Sequence, residues 1–487
     1  MQSFKSYFVI FVFSLIQLTS FGQTCLPNGV EFTLQSEINT FQKIYPGCKE
    51  ILGTVKISGS SITNLDSLRI TKISGGLLIN YTENLKNLSG LKELNSIGLE
   101  LSLRSNKTLE SIIGLNKLKN IGRSLNIENN AKLLELTGLN SLESINGSVS
   151  ISNNASLYSI YGLSNLISIG EDFAFYRNNK MKTLDGLQKL KSIGYDFQIF
   201  DNKSLKNIDA LSNVDLIDDE SFIRISENDS LQSILGLSGI KESVGELKIY
   251  ENPLLKNLNG LNGIDQADND LTINSNSSLE DIQGLKNLKV VNGDLNIYDN
   301  SKLNSLSGLM NLKYLVGGLF IEKNSSLISL NGLDSIEYYS IINGQLYYLL
   351  EDVSIINNGS KLITCAVNPV CDFIIDNPSK SSISGNGAGC NSINEVKFAC
   401  NNKVFTKNNS STIEVTFLNS NPVSEYLIIQ SNIKDLNYII YNMTGEKQIK
   451  GHFNDKIVIP CNKLPSGIYN IEFSTKYKKL NKKFVKF

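Results

Sequence analysis

The sequence is short of the residues on which most catalytic and metal sites depend. It has one histidine, no tryptophan and eight prolines in 487 residues, and no cysteine between Cys48 and Cys365. Catalysis needs an acid, base, nucleophile or metal held in a shaped pocket. With His452 as the single histidine, we find no Ser-His-Asp set, no metal-spaced His/Cys cluster and no nucleotide-binding glycine loop. The sequence therefore predicts a protein that is not an enzyme and has no metal site and no cofactor.

An excess of charge of one sign is also lacking. Lysine and arginine together number 46, aspartate and glutamate 47, and the formal net charge is −1. Such a balance gives no broad field for attracting nucleic acid or an anionic membrane, and we predict no nucleic-acid partner. Acidic runs such as Glu171-Asp172 and Asp218-Asp219-Glu220 are typical of turns, with calcium binding as the alternative.

What the sequence has in abundance is repetition. An Asn recurs after the pattern apolar-x-apolar-x-x, every 24 residues except for one step of 26 between Asn202 and Asn228, and Thr82 fills the same place at the start. Eight residues later comes a Gly-Leu pair, replaced once by Ala210-Leu211. A fixed period of this length predicts a solenoid, here of about 13 turns when weaker copies are included. The recurring residues are Asn106, Asn130, Asn154, Asn178, Asn202, Asn228, Asn252, Asn276, Asn300 and Asn324.

Each period combines two patterns. Alternation at Leu295 and Ile297 predicts a short strand with one buried face. Apolar residues then recur at every third position around Gly308, which fits short extended or 3₁₀ segments better than an α-helix. We expect glycines at the corners, such as Gly122, Gly75-Gly76 and Gly317-Gly318, to supply positive φ angles.

The Asn column has a structural interpretation. An inward Asn can bond the backbone groups that a sharp corner leaves unpaired, and stacked copies would form a ladder. The alternatives are a ligand-binding role or glycosylation, because many of these Asn residues stand in Asn-x-Ser/Thr sequences.

The first 22 residues predict a cleaved secretory signal. They carry one lysine, an apolar run and then small residues, as such signals do. The alternative is a membrane anchor, but the apolar run is short for a span of about 20 residues. We therefore predict an exported protein that is not an integral membrane protein.

Six of the seven cysteines flank the repeats. In an exported protein they are expected to form disulfides that stabilise the ends of the array. Before the array, Cys25 can pair only with Cys48, whereas Cys365, Cys371, Cys390 and Cys400 allow three connectivities. A zinc site of those four is the alternative, although the C-x-x-C spacing is missing. Cys461 remains as a predicted buried thiol.

The repeat unit x-L-x-I-x-x-N-x-x-L-x-x-L-x-G-L resembles the receptor L-domain type of leucine-rich repeat over residues 52–363. Residues 23–51 and 364–400 resemble the Cys-containing caps of exported bacterial proteins built from these repeats. The resemblance implies a right-handed solenoid and a role in binding or adhesion. The two-residue insertion near 218–220 and the longer loop 337–350 depart from the pattern.

After a polar linker, 401–417, the period disappears. Residues 418–487 show short alternating strands with motifs that resemble the C-terminal sorting domain of type IX secretion substrates, a small β-sandwich. The resemblance implies secretion from a Gram-negative bacterium, attachment to or release from its outer surface, and the type IX machinery as partner. The terminal lysines can also be read as an edge strand that resists aggregation. The motif residues are Asn421, Pro422, Gly445, Leu464, Pro465, Gly467, Tyr469 and Lys483.

A candidate binding row lies on the outward side of the predicted strands. Aromatic residues flanked by polar ones suit contacts with sugar or protein, although strands favour aromatic residues in any case. We therefore predict an unknown protein or glycan ligand, with a passive spacer and a surface glycan-processing enzyme as alternatives. The row comprises Tyr176, Phe200, Tyr250, Tyr298 and, one column over, Phe320.

The sequence as a whole predicts a mainly β chain. Its parts are a right-handed solenoid of about 13 leucine-rich, 24-residue repeats with Cys-containing caps, followed by a small C-terminal β-sandwich.

Overall fold

The fold is that of a computed structural model, which describes residues 23–216, 220–342, 345–402, 415–419, 422–431, 436–474 and 479–487. The predicted signal, Asn421, most of the predicted linker and part of the predicted insertion lie outside these residues. The chain divides into two compact units. One runs to Tyr338 and resumes at Leu350–Lys397; the other comprises Tyr339–Leu349 and Phe398–Phe487.

A long parallel sheet is the main element of the first unit. Within the described ranges it has fifteen strands, and each strand pairs with the next one of the sheet along the chain. Numbered with all strands in chain order, they are β2 (Val30–Phe32), β4 (Val55–Gly59), β6 (Leu77–Thr82), β8 (Leu101–Arg104), β10 (Leu125–Glu128), β12 (Val149–Ser152), β14 (Phe173–Tyr176), β16 (Phe197–Phe200), β18 (Phe222–Ser226), β20 (Glu246–Tyr250), β22 (Leu271–Asn274), β24 (Leu295–Tyr298), β26 (Gly317–Glu322), β29 (Leu350–Gly359) and β30 (Ser381–Asn386).

Equal sequence spacing explains the register of this sheet. Leu125 pairs with Leu101 on one side and Val149 on the other, each 24 residues away. Like residues therefore stack on like, and the inward Leu, Ile, Val and Phe side chains are buried. Each such side chain contributes about 1.5–3 kcal/mol when fully buried.

Two shorter parallel sheets accompany the main one. Among the residues that the structure describes, nine strands form the first sheet and four form the second. The change from one sheet to the other falls at the 26-residue step. The main sheet continues through that step, with Phe197 paired to Ile223. The strands are β1 (Gln23–Cys25), β3 (Cys48–Ile51), β5 (Lys72–Ile73), β7 (Ser96–Ile97), β9 (Asn120–Ile121), β11 (Ser144–Ile145), β13 (Ser168–Ile169), β15 (Ser192–Ile193) and β17 (Asp215–Leu216), then β19 (Glu242–Val244), β21 (Ile264–Ala267), β23 (Val290–Val291) and β25 (Tyr314–Leu315).

Short 3₁₀ turns form at several of the Gly-Leu pairs. Ala210 replaces glycine in one of them, and its φ is not positive, so the backbone there accepts a side chain. The turns span Ser89–Leu91, Tyr161–Leu163, Asp209–Leu211, Leu235–Leu237, Gln283–Leu285 and Ser307–Leu309, with a further one at Pro378–Lys380.

The prediction that corner glycines supply positive φ is wrong for Gly122, Gly75-Gly76 and Gly317-Gly318, none of which has a positive φ. At Gly122 the reason for glycine is close approach, because an added Cβ would collide with the Gly98 carbonyl. Positive φ angles occur instead at glycines of some Gly-Leu pairs, such as Gly114 and Gly186, and at the residues that directly precede the ladder positions. Those preceding residues, with φ between 53° and 59°, are Tyr81, Ser105, Asn129, Asn153, Arg177, Asp201, Glu227, Glu251, Ser275, Asp299, Lys323 and Asn357.

Helices and disulfides lie near the two ends of the array. Helix α1 spans Gln35–Ile44, α2 Asn368–Asp376 and α3 Ile393–Asn402. Cys25 is bonded to Cys48, and Cys365 to Cys390, with Cα–Cα distances of 5.9 and 5.5 Å. Cys371 and Cys400 are also disulfide-bonded. The prediction of disulfides is therefore confirmed.

The second unit is antiparallel. It contains a hairpin, β27 (Tyr339–Ile342) with β28 (Gln345–Tyr348). A three-stranded sheet has the order β31 (Val415–Phe417), β32 (Tyr426–Ser431), β35 (Lys456–Pro460), and a four-stranded sheet the order β34 (Lys447–Phe453), β33 (Leu436–Asn442), β36 (Gly467–Ser474), β37 (Lys479–Lys486). These two sheets bury one shared apolar cluster. Cys461 belongs to it as a free, buried thiol, and burial raises its pKa. The prediction of a mainly β chain is confirmed.

Candidate functional site

The Asn column forms a continuous chain of hydrogen bonds. The backbone N–H of Asn130 donates to Oδ1 of Asn154 over 3.0 Å, and Nδ2 of Asn130 donates to the Leu103 carbonyl over 2.8 Å. The same bond continues across the 26-residue step, from the Asn202 N–H to Oδ1 of Asn228 over 3.1 Å. All ten Asn side chains are fully buried. In this arrangement they are occupied by the fold and inaccessible to a ligand or a glycosylating enzyme.

The ladder is longer than the ten Asn residues. It starts at Thr82, whose hydroxyl donates to Asn106 over 2.7 Å. It continues from Asn324 to Asn358 and Asn386, and closes where the Asn386 N–H donates to Oδ1 of Asn391 over 3.1 Å. Asn358 stands in one of the weaker copies of the repeat. Asn386 was not predicted, although Ile383 stands three residues before it as in the repeats.

A second side-chain ladder escaped the sequence analysis. At the start of the main strands, a carboxylate accepts the N–H of the residue one turn on. Asp196 accepts from the Phe222 N–H over 3.0 Å, and Asp270 from the Asp294 N–H over 2.8 Å. Asp172, which we expected in a turn, accepts from the Asp196 N–H over 3.3 Å. These carboxylates thus act as hydrogen-bond acceptors for backbone N–H groups.

The outward face of the main sheet brings two of the predicted aromatic residues into direct contact. Tyr176 and Phe200 are paired in register on β14 and β16. Their ring centroids are 4.5 Å apart and their planes differ by 6°, which is a parallel stack. Both side chains are half-buried.

Arg224 extends this stack, and sequence analysis missed it. Its guanidinium carbon lies 4.2 Å from the Phe200 ring centroid and 5.3 Å from that of Tyr250. In the aromatic column itself, the residue between Phe200 and Tyr250 is Ser226, whose small, buried side chain leaves room. The guanidinium fills that room from the neighbouring column. A long cationic residue beside a serine that interrupts an aromatic column is the signal that would have found it.

Two hydrogen bonds hold the guanidinium in place. Nε of Arg224 donates to the Ser226 hydroxyl over 2.8 Å, and one Nη donates to the Glu227 carboxylate over 2.8 Å. The result is a row of four planar groups, Tyr176, Phe200, Arg224 and Tyr250. We call it the π-row.

The two other predicted binding residues lie apart from the π-row. Tyr298 is separated from Tyr250 by Asn274, which is itself buried. Phe320 pairs with Asn296 in the other outward column, and its ring lies against Gly318, where an added Cβ would collide with it. The structure therefore unites three of the five predicted residues.

Charges beside the π-row are paired between turns. Arg177 contacts Asp201 at 2.9 Å, and Lys203 contacts the same carboxylate at 3.1 Å. Burial disfavours the ionised form of Asp201, but hydrogen bonds from these two cations hold its pKa below the usual value. Lys248 is paired with Glu246. Such pairs, at or near the surface, stabilise little individually.

Several predicted motif residues of the C-terminal region have clear structural roles. Gly445 has φ of 86° in the turn between β33 and β34. The Tyr469 hydroxyl donates to the Pro465 carbonyl over 2.8 Å, and its ring stacks on Phe484 at 5.5 Å. Leu464 is buried, while Lys483 is exposed on β37.

This region is also where the comparison with known sequence families gives a result. Residues 420–486 match the secretion system C-terminal sorting domain. The chain thus carries the sorting domain of type IX secretion, which directs export to the bacterial cell surface. None of the curated proteins compared with the chain matches it.

Two further findings concern membranes and metals. Across the ranges that the structure describes, no helix has the length and apolar character needed to cross a membrane. In the same ranges, no three His, Cys, Asp or Glu side chains are grouped so that they could hold a metal ion. His452 is exposed on β34.

Proposed function

We propose that the chain is an exported, non-enzymatic bacterial surface protein that binds a ligand through the outward strand face of its array. The array is a right-handed solenoid of about 13 receptor L-domain-like repeats. The array presents that face, and the sorting domain directs its secretion. The ligand is a protein or a glycan, and the exported chain acts in binding or adhesion.

The π-row is the observation that carries this proposal. Backbone stacking needs only inward apolar residues, and most outward positions of the sheet are small or polar. Aromatic and arginine side chains are the residues most enriched where proteins make strong contacts. Such groups stand in one line on four consecutive strands. Neither the length of the array nor its folding stability requires this arrangement.

The absence of a catalytic role is part of the proposal. Its support is the single, exposed His452 and the use of the Asp residues at the strand starts as backbone acceptors. Turnover of a polysaccharide by the purified array would contradict it.

Substitution of the outward aromatic residues tests the proposal. We expect Tyr176, Phe200, Tyr250 and Tyr298 changed together to Ser to abolish attachment of the exported protein to ligands found in a glycan and protein array screen. The matched control changes Tyr158 and Tyr161 to Ser, because both are more than half exposed but lie outside the strands. Equal attachment by wild type and the fourfold variant, with unchanged unfolding, would instead favour the passive spacer.

A further inference from the structure

At the centre of the π-row, Phe200 presents its ring edge rather than its ring faces to solvent. The facing surfaces of Tyr176 and Phe200 cover each other, and Arg224 covers the other face of Phe200. Neutral sugars bind aromatic side chains by packing against an open face, and these faces are occupied. An aromatic ring is electron-rich on its face and electron-poor at its edge. The exposed part of the row therefore favours electron-rich ligand atoms.

Arg224 strengthens that preference at the centre of the row. The Ser226 hydroxyl and the Glu227 carboxylate accept hydrogen bonds from Nε and one Nη. Within the residues that the structure describes, the other Nη makes no hydrogen bond to the protein. A guanidinium edge of this kind recognises carboxylates by two parallel N–H donors. Glu227 compensates part of the positive charge of Arg224. A ligand carboxylate must therefore reach the free guanidinium edge directly in order to bind.

The shape of the row selects a polymer. Its four groups lie on successive strands, which are about 4.8 Å apart, so the row is about 14 Å long and one side chain wide. An extended peptide repeats its same-face side chains at roughly 6.8 Å and cannot match successive members. A pyranose ring is about as wide as an aromatic ring, so successive sugars of a linear polysaccharide repeat at a distance similar to the strand spacing. Such a polymer can place about one sugar on each strand.

We propose that the π-row binds a linear acidic polysaccharide, with a sugar carboxylate on Arg224 and further sugars along Tyr176, Phe200 and Tyr250. This inference rests on the proposed function of the strand face and names its ligand class. Gln198, in the neighbouring outward column on the strand of Phe200, is placed to bond sugar hydroxyl groups.

The test uses the mature chain and two forms of one polymer, polygalacturonate and its methyl ester, which lacks the charge. We expect the wild-type chain to bind polygalacturonate more tightly than the ester, and binding to weaken as salt shortens the screening length from about 10 Å at 0.1 M to 3 Å at 1 M. Arg224→Gln keeps a planar group but removes the charge. It should weaken polygalacturonate binding about tenfold, as expected for one charge-assisted hydrogen bond, and weaken ester binding clearly less, so that the preference for the charged polymer falls.

Lys248→Gln is the matched control, because Lys248 is a cation on the adjacent strand already paired with Glu246; it should change binding less than twofold or so. Equal binding of both polymers, equal binding of polyglutamate, or no effect of Arg224→Gln would overturn the acidic-polysaccharide inference. The fourfold aromatic variant distinguishes the proposed binding function from the proposed ligand class. If that variant loses attachment to some other ligand while Arg224→Gln retains it, the strand face is a binding surface and only the ligand class is wrong.

Discussion

At the scale of single residues, the array depends on side chains that can both donate and accept. An Asn amide has one acceptor oxygen and two N–H donors. In the ladder the oxygen takes the N–H of the preceding turn and Nδ2 reaches a strand carbonyl. Aspartate would supply only acceptors, and Thr82 can end the ladder because it has one fewer group to satisfy.

Asn154→Ala should therefore destabilise the array by about 1–3 kcal/mol, the cost of leaving buried polar groups unpaired. The change leaves the Asn130 N–H without its acceptor and the Ile127 carbonyl without its donor. Urea unfolding of the mature chain measures the effect. Asn304→Ala removes an exposed Asn from the same array and should cost less than about 0.5 kcal/mol. Similar losses of stability in Asn154→Ala and Asn304→Ala would show that the buried amide does not contribute the expected stability.

At the scale of elements, sequence reasoning worked where a pattern was long enough to carry a period. The four-residue strands such as β10 and β24 alternate, and that alternation was visible. The two-residue strands such as β5 and β9 carry no period of their own, so they could not be predicted. The π-row was predicted in part, because strand alternation alone assigns Arg224 to the neighbouring column and not to the aromatic one.

The glycines at the corners illustrate another limit. A sequence shows that glycine is required but not whether the reason is φ or space. Here Gly122 lies against the Gly98 carbonyl of the preceding turn, and its φ is not positive. Positive φ angles fall on other glycines, such as Gly114 and Gly186, and on residues before the ladder positions such as Glu251, a residue type that does not favour this conformation.

Gly122→Ala should destabilise the array by about 1–3 kcal/mol, as expected for an added methyl group in a packed site. The backbone of one turn would have to move away from the next, because the obstacle is a carbonyl. Gly76→Ala is the control. There the two nearest atoms are side-chain carbons of Glu100 and Leu78 at 3.2 Å, which can rotate away, and the nearest backbone atom, the Glu100 carbonyl oxygen, is 3.3 Å from the added Cβ rather than the 2.0 Å found at Gly122. Thermal unfolding measures the loss of stability in both variants. A larger loss of stability for Gly76→Ala than for Gly122→Ala would refute the close-approach explanation.

At the scale of the whole molecule, the two units have different kinds of order. The array repeats one strand register many times, so one repeat can take the place of another. The C-terminal sheets pair their strands antiparallel, such as β32 with β35, and enclose one apolar cluster. The family match covers only this second kind of structure, so export and array function should separate experimentally.

Deletion of residues 420–487 should keep the array inside the cell while leaving it folded, because the sorting domain is what the secretion machinery recognises. Deletion of residues 276–299 is the matched control. It joins Ser275 to Asn300, and because Asn300 occupies the same ladder position as Asn276, the Asn252 N–H regains an acceptor of the same kind. The shortened chain should therefore fold and reach the cell surface. Surface labelling and protease accessibility of intact cells measure both outcomes. Surface exposure of the tail-less chain at wild-type levels would mean that the array, and not the C-terminal sheets, carries the export signal.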